Sequence, residues 1–236
     1  MDNKNKTLVH LSPKKVVNFL YKIGIFLVFA HLIGVFSKYC FRHPKVYGLI
    51  PFFDLDKEQN IPSLFSTGLF SLNSILFLLI WRVKRHTDKR YRVWLFLSGL
   101  FFFLILDEFC EIHESISTPF KSALNTSGFL AFAWVIPYGI AGILLSIYLF
   151  RFVWSQDKKI RNLFILSALS YFIGAIGFEM LGAAYSTSKE CDIVCGLLTM
   201  CEESLEMNGL IMLVYTLLSV LNEQSWVIEI TELSKN

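Results

Sequence analysis

The chain has 236 residues, 54% hydrophobic and 16% aromatic but only 17% charged, with a net charge of +3 and a mean hydropathy of +0.53. A soluble domain is about a quarter charged, and here the apolar residues gather into long runs instead of following a strand or surface-helix period, so an integral membrane protein is the class that fits. No basic patch with interleaved aromatics marks a nucleic-acid surface, which removes nucleic acid from the partners to consider.

The first apolar run, Val17–Ser37, is as long as those that follow and has no small-residue cleavage site after it. It reads as a retained anchor and not as a signal peptide. Further runs follow at Pro62–Trp81, Val93–His113, Phe129–Phe150, Leu163–Ala184 and Leu197–Leu221. Each approaches the roughly 20 residues a helix needs to cross a ~30 Å hydrocarbon core. The expected fold is an all-α six-transmembrane-helix bundle, a single polytopic membrane domain over residues 1–236. Lysine and arginine collect before the first run (Lys4, Lys6, Lys14, Lys15, Lys22), after the second (Arg82, Lys84, Arg85, Lys89, Arg90, Arg92) and after the fourth (Arg151, Lys158, Lys159, Arg161). Under the positive-inside rule both termini are cytoplasmic, N-in and C-in. The expected location is a bacterial cytoplasmic (inner) membrane, with membrane lipids as the surroundings.

Eight of the 19 acidic residues lie in or beside these runs. Asp107, Glu108, Glu111 and Glu114 close the third, Glu179 sits near the end of the fifth, and Glu202, Glu203 and Glu206 open the sixth. The third and fifth helices run outward and the sixth inward, so all eight converge on one outer leaflet. On a continuous helix of 3.6 residues per turn, Asp107, Glu111 and Glu114 share a face, as do Glu202 and Glu206. Ala175, Gly182 and Ala183 flank Glu179 and allow a close helix approach. Trp134 and Tyr138 of the fourth run reach the same level as substrate-binding candidates, and Pro137 between them is expected to kink that helix.

Carboxylates gathered at low dielectric cannot all stay ionised without protons or a cation. No Lys or Arg lies in the outer halves of these runs, and His113 is the nearest nitrogen base. Asp, Glu and one His suit a hard or borderline divalent metal, Fe, Mn or Zn. The expected ligands are Asp107, Glu111, Glu114, Glu179, Glu202, Glu206 and His113, with His113 and Glu108 as catalytic acid–base candidates. Di-iron bundles use Glu-x-x-His on facing helices, a spacing absent here. Counted from the flanking basic residues the acids are shallow, so solvated helix ends are the competing reading for Glu108, Glu114 and Glu202. His31 in the first helix reads as a satisfied core residue.

The outer loop around Phe52–Ser63 carries Asp54, Asp56 and Glu58, either as a lid or as solvated interfacial acids, with Pro62 starting the next helix. All five cysteines fall on the outer side. Cys191 and Cys195 can pair in an oxidising compartment, while Cys110 and Cys201 read as small apolar fillers. Three functions compete. A metal-dependent membrane hydrolase or oxidase would act on a lipid or other apolar substrate. A proton- or cation-coupled transporter would need polar groups continuing inward, where the helices are nearly all Phe, Leu and Ile. A sensor or assembly factor would bind metal without turnover.

Overall fold

The computed structural model describes residues 6–9, 12–223 and 228–231. Strand β1 (Lys6–Val9) precedes the long helix α1 (Pro13–Tyr39), and a structured loop containing the one-turn helix α2 (Leu49–Phe52) leads to α3 (Ile61–Lys84). Helices α4 (Tyr91–Cys110), α5 (Ile112–Leu124) and α6 (Val135–Trp154) follow. Next comes a composite of α7 (Lys158–Phe172), a π-helical segment Ile173–Phe178 and α8 (Glu179–Ser188). Helix α9 (Ile193–Glu223) and strand β2 (Ile228–Thr231) complete the order. The two strands pair antiparallel, Lys6 opposite Thr231, a short ribbon in an otherwise helical chain. Among the described residues six helices are long and apolar enough to cross a membrane, the fifth being the composite Lys158–Ser188. That suggests a membrane protein.

Helix α9 is the centre of the bundle: 67% of its apolar window is buried, against 11% for α6. Met207, Leu210, Ile211, Val214 and Leu217 pack with Leu69, Phe77 and Ile80 of α3 and Trp94 of α4. Polar side chains fasten the helices where apolar packing alone gives no register. Ser74 of α3 and Ser98 of α4 each donate to the other's backbone carbonyl at 2.9 Å. Asn73, fully buried, donates to Leu69 O at 2.9 Å and across to Leu210 O of α9 at 3.2 Å. Glycines let α7 and α9 touch backbone to backbone, as membrane helices do where small residues line the interface. A Cβ at Gly209 would lie 2.8 Å from Ser167 O, and one at Gly174 would lie 2.7 Å from Glu202 O.

The basic end of the bundle is tied by its own side chains. Arg90 donates to Arg151 O at 2.6 Å, Lys84 lies over the Trp94 ring and Arg161 over Trp154. At the opposite end, the loop between α1 and α3 is fastened by Asn60, which caps α3 by accepting from Ser63 N at 3.1 Å. Its amide nitrogen also donates to Asp54 O at 2.6 Å and Pro51 O at 3.3 Å. Asn60→Ala therefore removes a cap worth about 1 kcal/mol together with two loop tethers, and should lower the thermal unfolding midpoint in detergent. Asn60→Asp keeps the cap oxygen and separates the two losses. An unchanged midpoint in both variants would contradict this role.

Candidate functional site

The acidic end of α4 departs from the continuous helix expected over 93–113. Helix α4 stops at Cys110, and Glu111 stands between α4 and α5 in the left-handed region with φ 52° and ψ 41°. Left-handed backbone costs a non-glycine residue about 1–2 kcal/mol, so packing must hold it there. The break is rewarded on both sides. Helix α5 is amphipathic and turns away, its Ser117 hydroxyl accepting from Ala133 N at 3.0 Å just before α6. The His113 ring folds back on the end of α4. Asp107, Glu111 and Glu114 consequently share no single helix face: Asp107 is buried, Glu111 accepts from Gln59 Nε2 at 3.4 Å, and Glu114 is exposed.

Asp107 is the hub. Its Oδ1 accepts from the Tyr138 hydroxyl at 2.5 Å, and its Oδ2 lies 3.2 Å from His113 Nδ1. A carboxylate only accepts, so Nδ1 carries the hydrogen and Nε2 of a neutral ring is free to bind a metal or take a proton. Burial works against an imidazolium here. The hydrogen bond and charge of Asp107, with Glu108 and Glu114 beyond it, outweigh burial and raise the His113 pKa above its ordinary value. The ring packs edge-on against Trp134 with centroids 5.0 Å apart, and Trp134 packs edge-on against Tyr138 at 5.4 Å.

Trp134 and Tyr138, expected to face substrate, thus spend their polar atoms on the acids. Trp134 Nε1 donates to Glu179 Oε1 at 3.0 Å. Helix α6 begins at Val135 and not at Phe129, which places Pro137 in the first turn. There its missing N–H breaks no helical hydrogen bond, so it starts the helix and does not kink it.

The expected helix over 163–184 is interrupted by the π-helical turn Ile173–Phe178. Such turns insert an extra residue and recur at functional sites. Here Gly174 and Ala175 are buried, with Gly174 against α9, while Glu179 just beyond meets Trp134, the residue that precedes α6. The Glu202 carboxyl of α9 adjoins that of Glu179, and Glu206 adjoins the Tyr171 hydroxyl. Glu203 feels the charges of Glu206, Glu108 and Glu58.

Glu58, in the loop that reads from sequence either as a lid or as solvated acids, takes part in the site. Its Oε2 is buried with no hydrogen-bond partner, and its charge acts on Glu108, Glu203 and Glu206. Burial pushes the Glu58 carboxyl above the usual range; Ser63 and His113 oppose that rise, and the charges of Glu114 and Glu111 add to it. The one hint in the sequence was the density of chain-anchoring residues around it, Leu55, Asn60 and Pro62. Glu58, Glu108, Glu179 and the α9 pair Glu203 and Glu206 therefore form one set of interacting acids, of which Glu58 and Glu108 also meet His113.

Among the described residues, carboxylates pair within 4 Å with a base only at His113–Asp107 (3.2 Å) and His31–Asp54 (3.4 Å). Also among the described residues, no group of three or more His, Cys, Asp or Glu side chains is arranged to hold a metal ion. Six of the seven expected ligands instead occupy pairs, Asp107 with His113, Glu179 with Glu202, Glu206 with Tyr171 and Glu111 with Gln59, and Glu114 is exposed. Cys191 and Cys195 are disulfide-bonded, Cys201 is half-buried, and Cys110 is exposed and so fills no core space.

The chain belongs to the family described as Domain of unknown function (DUF8692), matched over residues 20–221. No curated protein and no solved structure matches it.

Proposed function

We propose that this member of the family is a six-span, N-in and C-in protein of a bacterial inner membrane. Within it, the acidic end of the bundle is the divalent-metal site of an enzyme acting on a lipid or other apolar substrate at the outer leaflet. The observation that carries the reading is the Asp107–His113 pair beside Glu58 and Glu108, whose charges reach Glu203 and Glu206. Metal-binding histidines commonly donate their second ring N–H to a carboxylate, which fixes the tautomer and raises ligand basicity. Asp107 suits that supporting role better than direct ligation, because His113 and Tyr138 occupy its two oxygens. His113 Nε2 with Glu108, Glu203 and Glu206 would be the ligands, and Glu58 would close the site from the loop. A metal held there would bring the pKa of a bound water to about 7, within reach of neutral pH. Whichever of these carboxylates stays off the metal is the acid–base partner. The even number of candidate spans and the basic residues at the opposite end of α4 support the orientation.

A second reading, proton- or cation-coupled transport, is favoured by one observation. Polar contacts continue past the acids into the bundle, from Ser170 to Asn208 at 2.9 Å and from Asn208 to Tyr21 of α1 at 2.8 Å. The inner half is thus less uniformly apolar than its Phe, Leu and Ile content implied.

Metal content by mass spectrometry separates the readings. Purified full-length protein should retain about one or two divalent ions per chain, and Glu203→Gln and Glu206→Gln should each lose them. Protein that stays metal-free after exposure to iron, manganese and zinc in turn would sink the enzyme reading. Proton uptake into vesicles carrying the protein would then decide for transport.

A further inference from the structure

His31 sits far from the acids in sequence, is 3% exposed, and uses both ring nitrogens. Nδ1 accepts from Leu55 N at 3.0 Å, and Nε2 lies 3.1 Å from Gly196 O. A backbone amide only donates and a carbonyl only accepts, so the ring is neutral with its hydrogen on Nε2. Three elements meet on it. Helix α1 supplies the ring, and α9 supplies a carbonyl brought close because Gly196 packs directly on Val35, where a Cβ would lie 2.7 Å from Val35 Cγ2. The loop supplies Leu55, its buried apolar plug at 5% exposure.

Beyond Leu55 the chain has little freedom. Asp56 accepts from Thr199 of α9 at 3.3 Å, and Asn60 holds Asp54 O at 2.6 Å while capping α3. Glu58 and Gln59 lie between these anchors, the first among the acids and the second on Glu111. A third partner waits beside the ring, since Asp54 Oδ1 is 3.4 Å from Nδ1. A small cavity of about 50 Å³ borders the ring, and Lys38, Tyr39, Asp54, Asp56 and Thr199 help to line it. These are the charged, titratable or polar groups facing His31: Lys38 and Tyr39 from α1, Asp54 and Asp56 from the loop, Thr199 from α9. The nearby Cys191–Cys195 disulfide does not titrate.

We propose that His31 is a positioning residue of the acidic site, holding Leu55 when neutral so that Glu58 stays among the acids, and releasing it when protonated. A proton on Nδ1 turns the acceptor of the Leu55 amide into a second donor facing it, a contact that cannot bond. The only acceptor within 4 Å of that nitrogen among the described carboxylates is Asp54. The ring therefore changes partner, and the segment between Leu55 and Asn60 loosens. The consequence for catalysis rests on the metal-site reading; the loop movement does not.

Hydrogen exchange at the Leu55 amide tests it in full-length protein in detergent, as protection over the intrinsic rate from about pH 5 to 8, where histidines change charge. Protection should fall about tenfold toward the acid end in the wild type. His31→Asn keeps an amide oxygen able to accept from Leu55 and has no titrating ring, so its protection should be independent of pH. Equal protection across the range in the wild type, or the same acid loss in His31→Asn, overturns the proposal whether or not that variant is fully stable. Manganese binding measured on the same samples separates the two readings. A loop that titrates through His31 in protein that binds no metal leaves the positioning intact and removes the enzyme. Metal binding with an untitrated loop does the reverse.

Discussion

Gly209→Val should cost more stability than any single carboxylate substitution in the chain, and Gly174→Ala should rank close behind. At Gly209 a Cβ would come 2.8 Å from Ser167 O, 2.8 Å from Tyr171 N and 2.9 Å from Tyr171 Cβ. At Gly174 it would come 2.7 Å from Glu202 O and 2.9 Å from Glu206 Cγ. Most of these neighbours are backbone, which cannot swing aside as the tip of a flexible side chain does. Overpacking a tight interior costs about 1–3 kcal/mol for added methylenes, and valine adds a branched group at the closest point of two helices. The damage spreads to the bonds that set the α7–α9 register: Ser167 Oγ to Gly209 O at 2.5 Å and Ser170 Oγ to Leu205 O at 2.8 Å. Because Gly174 presses on the turn that bears Glu202 and Glu206, its alanine variant should also lose metal binding at temperatures where it remains folded. Gly99→Ala is the control, since nothing lies within 4 Å of a Cβ there. Removing a mid-helix glycine should raise stability by up to about 1 kcal/mol. Thermal unfolding in detergent ranks the three; Gly209→Val melting with the wild type would mean the two helices are not in contact.

This close approach shows what sequence reasoning could and could not reach. The six apolar runs were readable because length and hydropathy are local properties, and the gathering of acids followed once the runs alternated in direction. Of the small residues flanking Glu179, Ala175 and Ala183 are buried but nothing lies within 4 Å of a Cβ at Gly182, and His31 reads as a core residue in both sequence and structure. The break at Glu111 is hidden because Phe109, Cys110 and Ile112 carry apolar character on between the acids, with no glycine or proline to mark a stop. Its cause is tertiary: the return of His113 to Asp107 and the tether from Ser117 to Ala133. The π-helical turn at Ile173–Phe178 likewise has no local marker, since it serves to place Gly174 and Glu179 against different helices. Pro137 was the one marker misread, because a proline at a helix start looks the same in sequence as one that kinks. Glu58 is the instructive case, since the sequence leaves its loop open between a lid and solvent. An acid in a polar loop is ordinarily solvated, and only contacts to residues as distant as His31 and Thr199 turn that loop inward.

Asp107→Asn should disable the site while leaving the bundle folded, and its effect should depend on pH. The raised His113 pKa fixes the direction. A histidine whose folded value lies above its unfolded value of about 6.5 stabilises the protein fully below the unfolded value, and that contribution disappears as pH rises through the folded value. In metal-free, chelated wild-type protein, a share of stability should therefore be lost as pH climbs from about 6.5 through the raised folded value. A hydrogen bond to a charged group is worth about 1.5–3 kcal/mol. Asp107→Asn and His113→Gln should each lower stability by that order at pH 6 and flatten the pH profile. The double variant should be little worse than either single one, giving a coupling of about 1 kcal/mol or more. The asparagine also changes which nitrogen is available. While its amide oxygen keeps accepting from Tyr138, its NH2 faces Nδ1 and forces the ring hydrogen onto Nε2, where it blocks ligation. Metal affinity should fall about 10- to 100-fold, the usual cost of losing a carboxylate that orients a ligating histidine. Coupling below about 0.5 kcal/mol at pH 6 would mean that Asp107 and His113 do not act as a unit, and coupling unchanged at pH 9 would mean that the imidazolium charge adds nothing to the pair. Intact coupling with unchanged metal affinity would keep the pair and place the metal elsewhere.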